Sequence, residues 1–187
     1  RAGASMASPI KLKKSCIKTL IFDWDGTLLN SLAPLTQTFV DTCNTLQLKH
    51  PDHTAIAKSF GDPPENIIRR FFTTECEKQP ELTHTFIQHF RNQYASTKPI
   101  LFDDTHAILT TLKQAGYTLC IATNKSRPLL DKELKETGLT SLVSLSQTPS
   151  EWPAKPDPAM ITAICNHLGV LPETCLMIGD HSNDILA

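Results

Sequence analysis

The segment Leu20-Ile21-Phe22-Asp23-Trp24-Asp25-Gly26-Thr27-Leu28 constrains the fold more than any other part of the chain. An apolar run ends in two carboxylates two positions apart, and a glycine follows at once. Such a run, without polar alternation, is expected to form a strand covered on both faces. In extended backbone, positions 23 and 25 project to the same side. Two desolvated carboxylates that close repel, so a proton or a metal ion must relieve them. Gly26 permits the sharp turn that brings backbone close to a ligand. An EF-hand calcium loop is excluded, because Thr27, Leu28 and Pro34 occupy its fifth, sixth and twelfth places in lieu of an oxygen ligand of the expected kind, glycine and glutamate. A plain surface Asp-Gly turn fits poorly, since the apolar run ends at Asp23 itself. The segment reads as catalytic.

Three further runs have the same character: Tyr117–Ala122, Leu142–Leu145 and Cys175–Ile178, with the first strand over Ile17–Phe22. Ahead of each of these last three strands lies a helical pattern, at Thr105–Gln114, Pro128–Thr137 and Pro158–Leu168, followed by Gly116, Gly138 and Gly169, glycines placed to close a helix. Alternating strand and helix predicts an α/β fold, an open, parallel, Rossmann-like sheet with helices on both faces. The ligand site of such a sheet lies at the C-terminal ends of its strands. Residues 31–98 break the rhythm with helical patterns alone. One is expected to start at Asp62-Pro63-Pro64-Glu65, with Asp62 as N-cap and Glu65 completing a capping box, and to bury Ile67, Ile68, Phe71 and Phe72. The expected organisation is a leader over 1–15, a discontinuous α/β core over 16–30 and 99–187, and an all-helical cap over 31–98 above the site. Arg1 to Ser5, ahead of Met6, read as a tag remnant.

The remaining strand ends carry polar groups of a matching kind. In Ile121-Ala122-Thr123-Asn124-Lys125 a hydroxyl and an amide can donate to a phosphoryl oxygen, although Thr-Asn is also an ordinary strand exit. In Lys155-Pro156-Asp157-Pro158 a lysine sits in a proline-stiffened loop, and taken singly it is no more than a solvated cation. Gly179-Asp180-His181-Ser182-Asn183-Asp184 follows the last strand, with Asp180 placed to complete a hard-cation site with the first strand's acids. His181 reads as a loop residue, since oxygen ligands already suit magnesium.

Composition removes other classes of function. A net charge of -1 gives no case for a nucleic-acid or membrane-surface partner, and the local run Lys11, Lys13, Lys14 and Lys18 reads as a solvated leader. An apolar content of 40% supports a packed core, and no apolar run approaches the roughly 18 residues of a membrane span. The N-terminus also lacks the apolar centre of a secretory signal. Six cysteines without a C-x-x-C pair suit a reduced, cytoplasmic protein better than a disulfide or zinc scaffold.

Taken together and in this order, the four elements resemble the motifs of the haloacid dehalogenase superfamily, and within it the phosphoglycolate phosphatase group. The resemblance runs over about residues 17–187. It implies that Asp23 attacks phosphorus and forms an aspartyl phosphate, ionised at neutral pH as its free value near 3.9 would leave it. Asp25 protonates the leaving alkoxide and then deprotonates water, with a pKa raised by its neighbouring carboxylate. It further implies Mg2+ held by Asp23, Asp180 and the main-chain oxygen of Asp25, with Gly26, Thr123, Asn124 and Lys155 around the phosphoryl group. Asp184 then orients Lys155 or a metal-bound water. The expected substrate is a small-molecule phosphate monoester, and Gly61, Arg69 and Arg70 are the cap's candidates for choosing it. Oligomeric state has no signature in the sequence.

Asn30 stands where many relatives carry an acid. The chain stops at Ala187, within the helix after the fourth motif, which is expected to leave the strand at 175–178 with an open edge and the site weakened. A sugar phosphomutase would keep every motif and differ in the cap. A silent binding domain would have no need of Asp23, Asp25, Lys155 and Asp180 together.

Overall fold

The computed structural model describes residues 16–187; the expected leader over 1–15, with Lys11, Lys13 and Lys14, lies outside the described residues. Four parallel strands form one sheet in the order β3-β2-β1-β4, with β1 at Thr19–Phe22, β2 at Thr118–Ala122, β3 at Leu145–Gln147 and β4 at Cys175–Ile178. Strand side chains alternate between faces, and the core divides accordingly. Leu20, Phe22, Leu119 and Ile121 face one side and pack with Trp24, Leu109 and Leu130. Ile21, Cys120 and Ala122 face the other and pack with Met160 and Ile164. The helices on these two faces are α6 (Thr105–Gln114) with α7 (Arg127–Glu136), and α8 (Ala159–Leu168).

Between β1 and β2 the chain forms α1 (Leu32–Thr45), α2 (His53–Ser59), α3 (Pro64–Phe71), α4 (Thr73–Lys78) and α5 (Leu82–Ala95). This insertion buries an apolar cluster of its own, centred on Phe39, whose ring lies 4.8 Å from that of Phe86 and is stacked on Phe72 at 6.3 Å. The two passages between sheet and insertion run side by side. Leu29 bridges Leu101 in antiparallel fashion, Asn30 N–H donates to the Ile100 carbonyl at 2.8 Å, and Phe102 N–H to that of Leu28 at 3.3 Å.

Two local expectations are corrected. The third strand lies at Leu145–Gln147, starting at the last residue of the run Leu142–Leu145. Leu142 closes a turn onto the Leu139 carbonyl and, with Val143, packs against the core, so the apolar run is a packed turn that leads into the strand. Asp62 does not cap α3. Pro63 takes that position without a side-chain cap, because the Asp62 carboxylate is drawn to Arg70 at 3.0 Å and to the Asn183 amide at 2.8 Å. The glycines close their helices as expected: Gly116, Gly138 and Gly169 all have positive φ, and Gly169 is a left-handed C-cap. None of the six cysteines is in a disulfide, and no described helix is long and apolar enough to cross a membrane.

Ile121 is wholly buried at the centre of β2. Ile121→Ala is expected to cost about 2–5 kcal/mol of stability, whereas Ile185→Ala, at an 87% exposed position, is expected to change it by less than about 0.5 kcal/mol. Urea midpoints of the two variants measure the contrast.

Candidate active site

The register of the sheet sets the site. Phe22 is level with Ile121 and Ile178, so β1, β2 and β4 end together, and the pairing extends one step as Asp23 N–H donates to the Ile178 carbonyl at 2.9 Å. β1 has β2 on one side and β4 on the other, a switch point of the kind where α/β sheets open a crevice. Asp23, Thr123 and Asp180 are carried out of the three strand ends into that crevice. The loop between β3 and α8 delivers Lys155.

Asp23 is buried, with the Trp24 N–H donating to Oδ1 at 2.7 Å and Lys155 Nζ 3.2 Å from the same oxygen. Lys155 is itself 1% exposed and pairs on its other side with Asp184. Burial pushes the Asp23 carboxyl up to about 7, a rise that Asp184 and Asp25 add to and that Lys155 and the Trp24 amide oppose. The free value near 3.9 therefore does not carry over to this position, because a carboxylate fixed at the end of a buried strand has lost water.

Asp25 is differently placed. After Asp23 the chain leaves the extended form, with Thr27 and Leu28 amides donating back to the Trp24 carbonyl and the Trp24 side chain wholly buried. The Asp25 carboxylate is 2.8 Å from Lys125 Nζ and accepts from Ser31 Oγ at 2.7 Å. It therefore meets a cation where a bare neighbouring carboxylate was expected. Lys125 also pairs with Glu133 at 2.6 Å and lies over the Tyr94 ring, while Trp24 Nε1 donates to Glu133 at 2.9 Å. Burial raises the Glu133 carboxyl against the pull of Lys125.

Asn124, expected to donate to phosphate, has its amide engaged elsewhere. Its Nδ2 donates to the carbonyls of Lys155 (3.0 Å) and Gly61 (2.7 Å), and its Oδ1 accepts from the Lys155 N–H at 2.7 Å. It clamps the backbone of Lys155. Thr123 is buried at the end of β2 and its hydroxyl accepts from the Lys125 N–H at 3.1 Å. Gly26, at φ +78, is the turn where a Cβ would strike the Asp180 carboxylate, and Thr27 Oγ1 lies 3.4 Å from Asp180 Oδ1. His181 is the N-cap of α9 (Ser182–Leu186), its ring accepting from the Asn183 N–H while Asp184 accepts from the His181 N–H.

Carboxylate oxygens of Asp23, Asp180 and Asp184 lie within 4.8 Å of one another. Three acids with one lysine among them, one acid already pushed towards its protonated form, make a hard oxygen set short of positive charge; such a set fits a divalent cation like Mg2+. Asp184, expected only to orient Lys155 or a metal-bound water, brings its carboxylate into this trio. Of the cap's candidates, Gly61 lines the cavity between insertion and strand ends, and Arg70 is committed to Asp62. Arg69 is an exposed residue that does not line that cavity.

The haloacid dehalogenase-like hydrolase model matches residues 20–187, from the first strand through the last acid of the trio. The chain belongs to that family. It is an enzyme, and the relatives it matches are named phosphatases. A phosphoglycolate phosphatase of Colwellia psychrerythraea is 32% identical over 181 residues, spanning 91% of this chain and 79% of the relative. A pyrophosphatase of Halalkalibacterium halodurans is 28% identical over 175 residues, spanning 91% and 78%. Among solved structures, a predicted phosphoglycolate phosphatase from Haemophilus somnus superimposes with a TM-score of 0.78 at 27% identity, over 94% of this chain and 82% of that one. A haloacid dehalogenase-like hydrolase from Streptococcus pneumoniae gives 0.79 at 24%, over 91% and 79%, a likeness of fold.

Two variants probe this geometry. At Gly179 a Cβ would land inside the Asp184 carboxylate. Gly179→Ala is expected to displace Asp184 and weaken divalent-cation binding about 10- to 100-fold, read by calorimetric titration. Glu133→Ala leaves Lys125 and the Trp24 indole short of their buried partner and is expected to cost about 3–5 kcal/mol in chemical denaturation.

Proposed function

We propose that this phosphatase hydrolyses a small-molecule phosphate monoester in two steps through an aspartyl phosphate on Asp23, with Mg2+ as its cofactor. The observation that carries the reading is the buried Asp23 between Lys155 and the acid trio, at the mouth of the crevice. In the first step an Asp23 oxygen attacks phosphorus and the ester O–P bond breaks, while Asp25 gives a proton to the departing alkoxide. In the second, Asp25 takes a proton from water, the water oxygen bonds to phosphorus, and the acyl phosphate opens to inorganic phosphate and free Asp23. Lys155 holds Asp23 and faces the charge that collects on the phosphoryl oxygens, with the Thr123 hydroxyl as a donor beside it. Mg2+ held by Asp23, Asp180 and Asp184 would supply the positive charge that keeps Asp23 ionised at neutral pH and offsets its repulsion from an anionic phosphoryl group.

In the same reading residues 16–30 and 99–187 form the catalytic core and 31–98 the cap that encloses the substrate. Six cysteines without a disulfide suit a reduced, cytoplasmic setting. The names of the relatives make 2-phosphoglycolate and pyrophosphate the first compounds to assay.

Hydrolysis of p-nitrophenyl phosphate tests the mechanism. Activity is expected to vanish with chelator, return with Mg2+, and fall by at least about a thousandfold in Asp23→Asn. Unchanged turnover in that variant would sink the mechanism.

A further inference from the structure

The cavity that begins at Asp23, Asp25 and Thr123 has a volume of about 110 Å3 and runs up into the insertion. Its upper wall is apolar, formed by Phe39, Phe60, Ile68, Phe86 and Phe90, with Leu129 of α7 below. Apart from the Thr123 and Ser126 hydroxyls at its lower end, the polar side chains that reach it from α3, β2 and their loops are engaged with partners. Lys125 is held by Asp25 and Glu133, Asp62 by Arg70 and Asn183, and the Asn124 amide by Lys155 and Gly61. One cation remains at the cavity, Arg91. It is exposed, its guanidinium has no partner among the described residues, and it also lines the outer groove beside Asn92 and Lys132.

We propose that the substrate's leaving group is apolar, a phosphate monoester of an aromatic or branched aliphatic alcohol about the size of one ring. The inference rests on the phosphatase reading, since a phosphoryl group at Asp23 is what sends the leaving group into this chamber. A carboxylate or a second phosphate entering the upper part gives up its water and meets phenylalanine and isoleucine, since the upper wall carries no polar side chain; the cost of such a transfer is large. An apolar group gains from the same wall in proportion to the surface it buries, and aromatic rings add favourable edge and stacking contacts. The cavity, at about 110 Å3, is somewhat smaller than the Leu/Ile/Phe-lined cavity of about 150 Å3 that takes up benzene, which makes a single ring or a branched aliphatic group the upper limit of size. The chamber thus favours a substrate of opposite character to the acidic compounds for which the relatives are named.

Three phosphonates carry a stable methylene in place of the ester oxygen and separate the possibilities on the unmodified protein with Mg2+. Benzylphosphonate presents a ring to the chamber, ethylphosphonate a methyl, and 3-phosphonopropionate a carboxylate. By calorimetric titration benzylphosphonate is expected to bind at least about tenfold more tightly than either of the others, with a negative heat-capacity change. Equal affinities would overturn the proposal, because the chamber would then be packing within the cap that receives no leaving group. Tighter binding of 3-phosphonopropionate would overturn it in favour of an acidic substrate held by Arg91. Hydrolysis of phenyl phosphate and 2-phosphoglycolate is measured in parallel. Turnover of neither, with selective benzylphosphonate binding intact, would remove the phosphatase reading and leave the chamber's preference standing.

Discussion

The loss of water around Asp23 is the constraint to which the rest of the molecule answers. A carboxylate at the end of a strand that is buried along its length cannot be stable as an anion without compensation. Lys155 is brought to it from a different part of the sheet, and a lysine so buried needs its own partner, which Asp184 supplies. Asp184 in turn is fixed by the His181 amide at the head of α9. Each correction introduces another buried charge, and the chain of corrections ends at Asp180, the exposed member of the acid trio, where a cation can arrive from solvent.

A second network is built on the same principle beside the first. Asp25, Lys125 and Glu133 alternate in charge, and the Trp24 indole closes the far end. Trp24 therefore has two roles: its ring fills the core between β1 and α7, and its two N–H groups donate to Asp23 and to Glu133. Neighbouring acids of one short segment are thus placed in separate electrostatic settings, one among acids and a lysine, the other between a lysine and a hydroxyl. In the proposed mechanism that separation would allow two carboxylates so close in sequence to do different chemistry.

Much of the sheet was readable from the chain, because strands covered on both faces leave uninterrupted apolar runs and helices that return to them stop at glycines. The run at Leu142–Leu145 misled for the same reason: Leu142 and Val143 are apolar because they pack, and packing does not require a strand. Residue types at the strand ends announced Asp23, Thr123, Lys155 and Asp180. The sequence could not announce which polar atoms are already taken. Asn124 looks like a phosphate donor until its amide is seen on the Lys155 backbone, and Glu133 looks like any exposed acid of a helix until Lys125 and Trp24 are found against it. Arg70 and Arg91 are equally plain in the chain, yet one is paired and the other is not. Partnership across long sequence separations is a property of the fold, and single-residue signals do not carry it.

The paired passages at Leu28–Asn30 and Ile100–Phe102 have a consequence for assembly. Because the chain leaves and re-enters the core through adjacent, hydrogen-bonded backbone, residues 31–99 hang from a closed neck on the crossover that runs from β1 through α6 to the parallel β2, whatever their number. The entropy of closing that loop rises only with the logarithm of its length. Once the neck has formed, the two central strands can find their register as if they were near neighbours, and the insertion can condense around Phe39 on its own schedule. Length added or removed beyond the neck is felt weakly by the sheet. In this topology the part of the enzyme proposed to enclose the substrate is the part whose length the sheet constrains least.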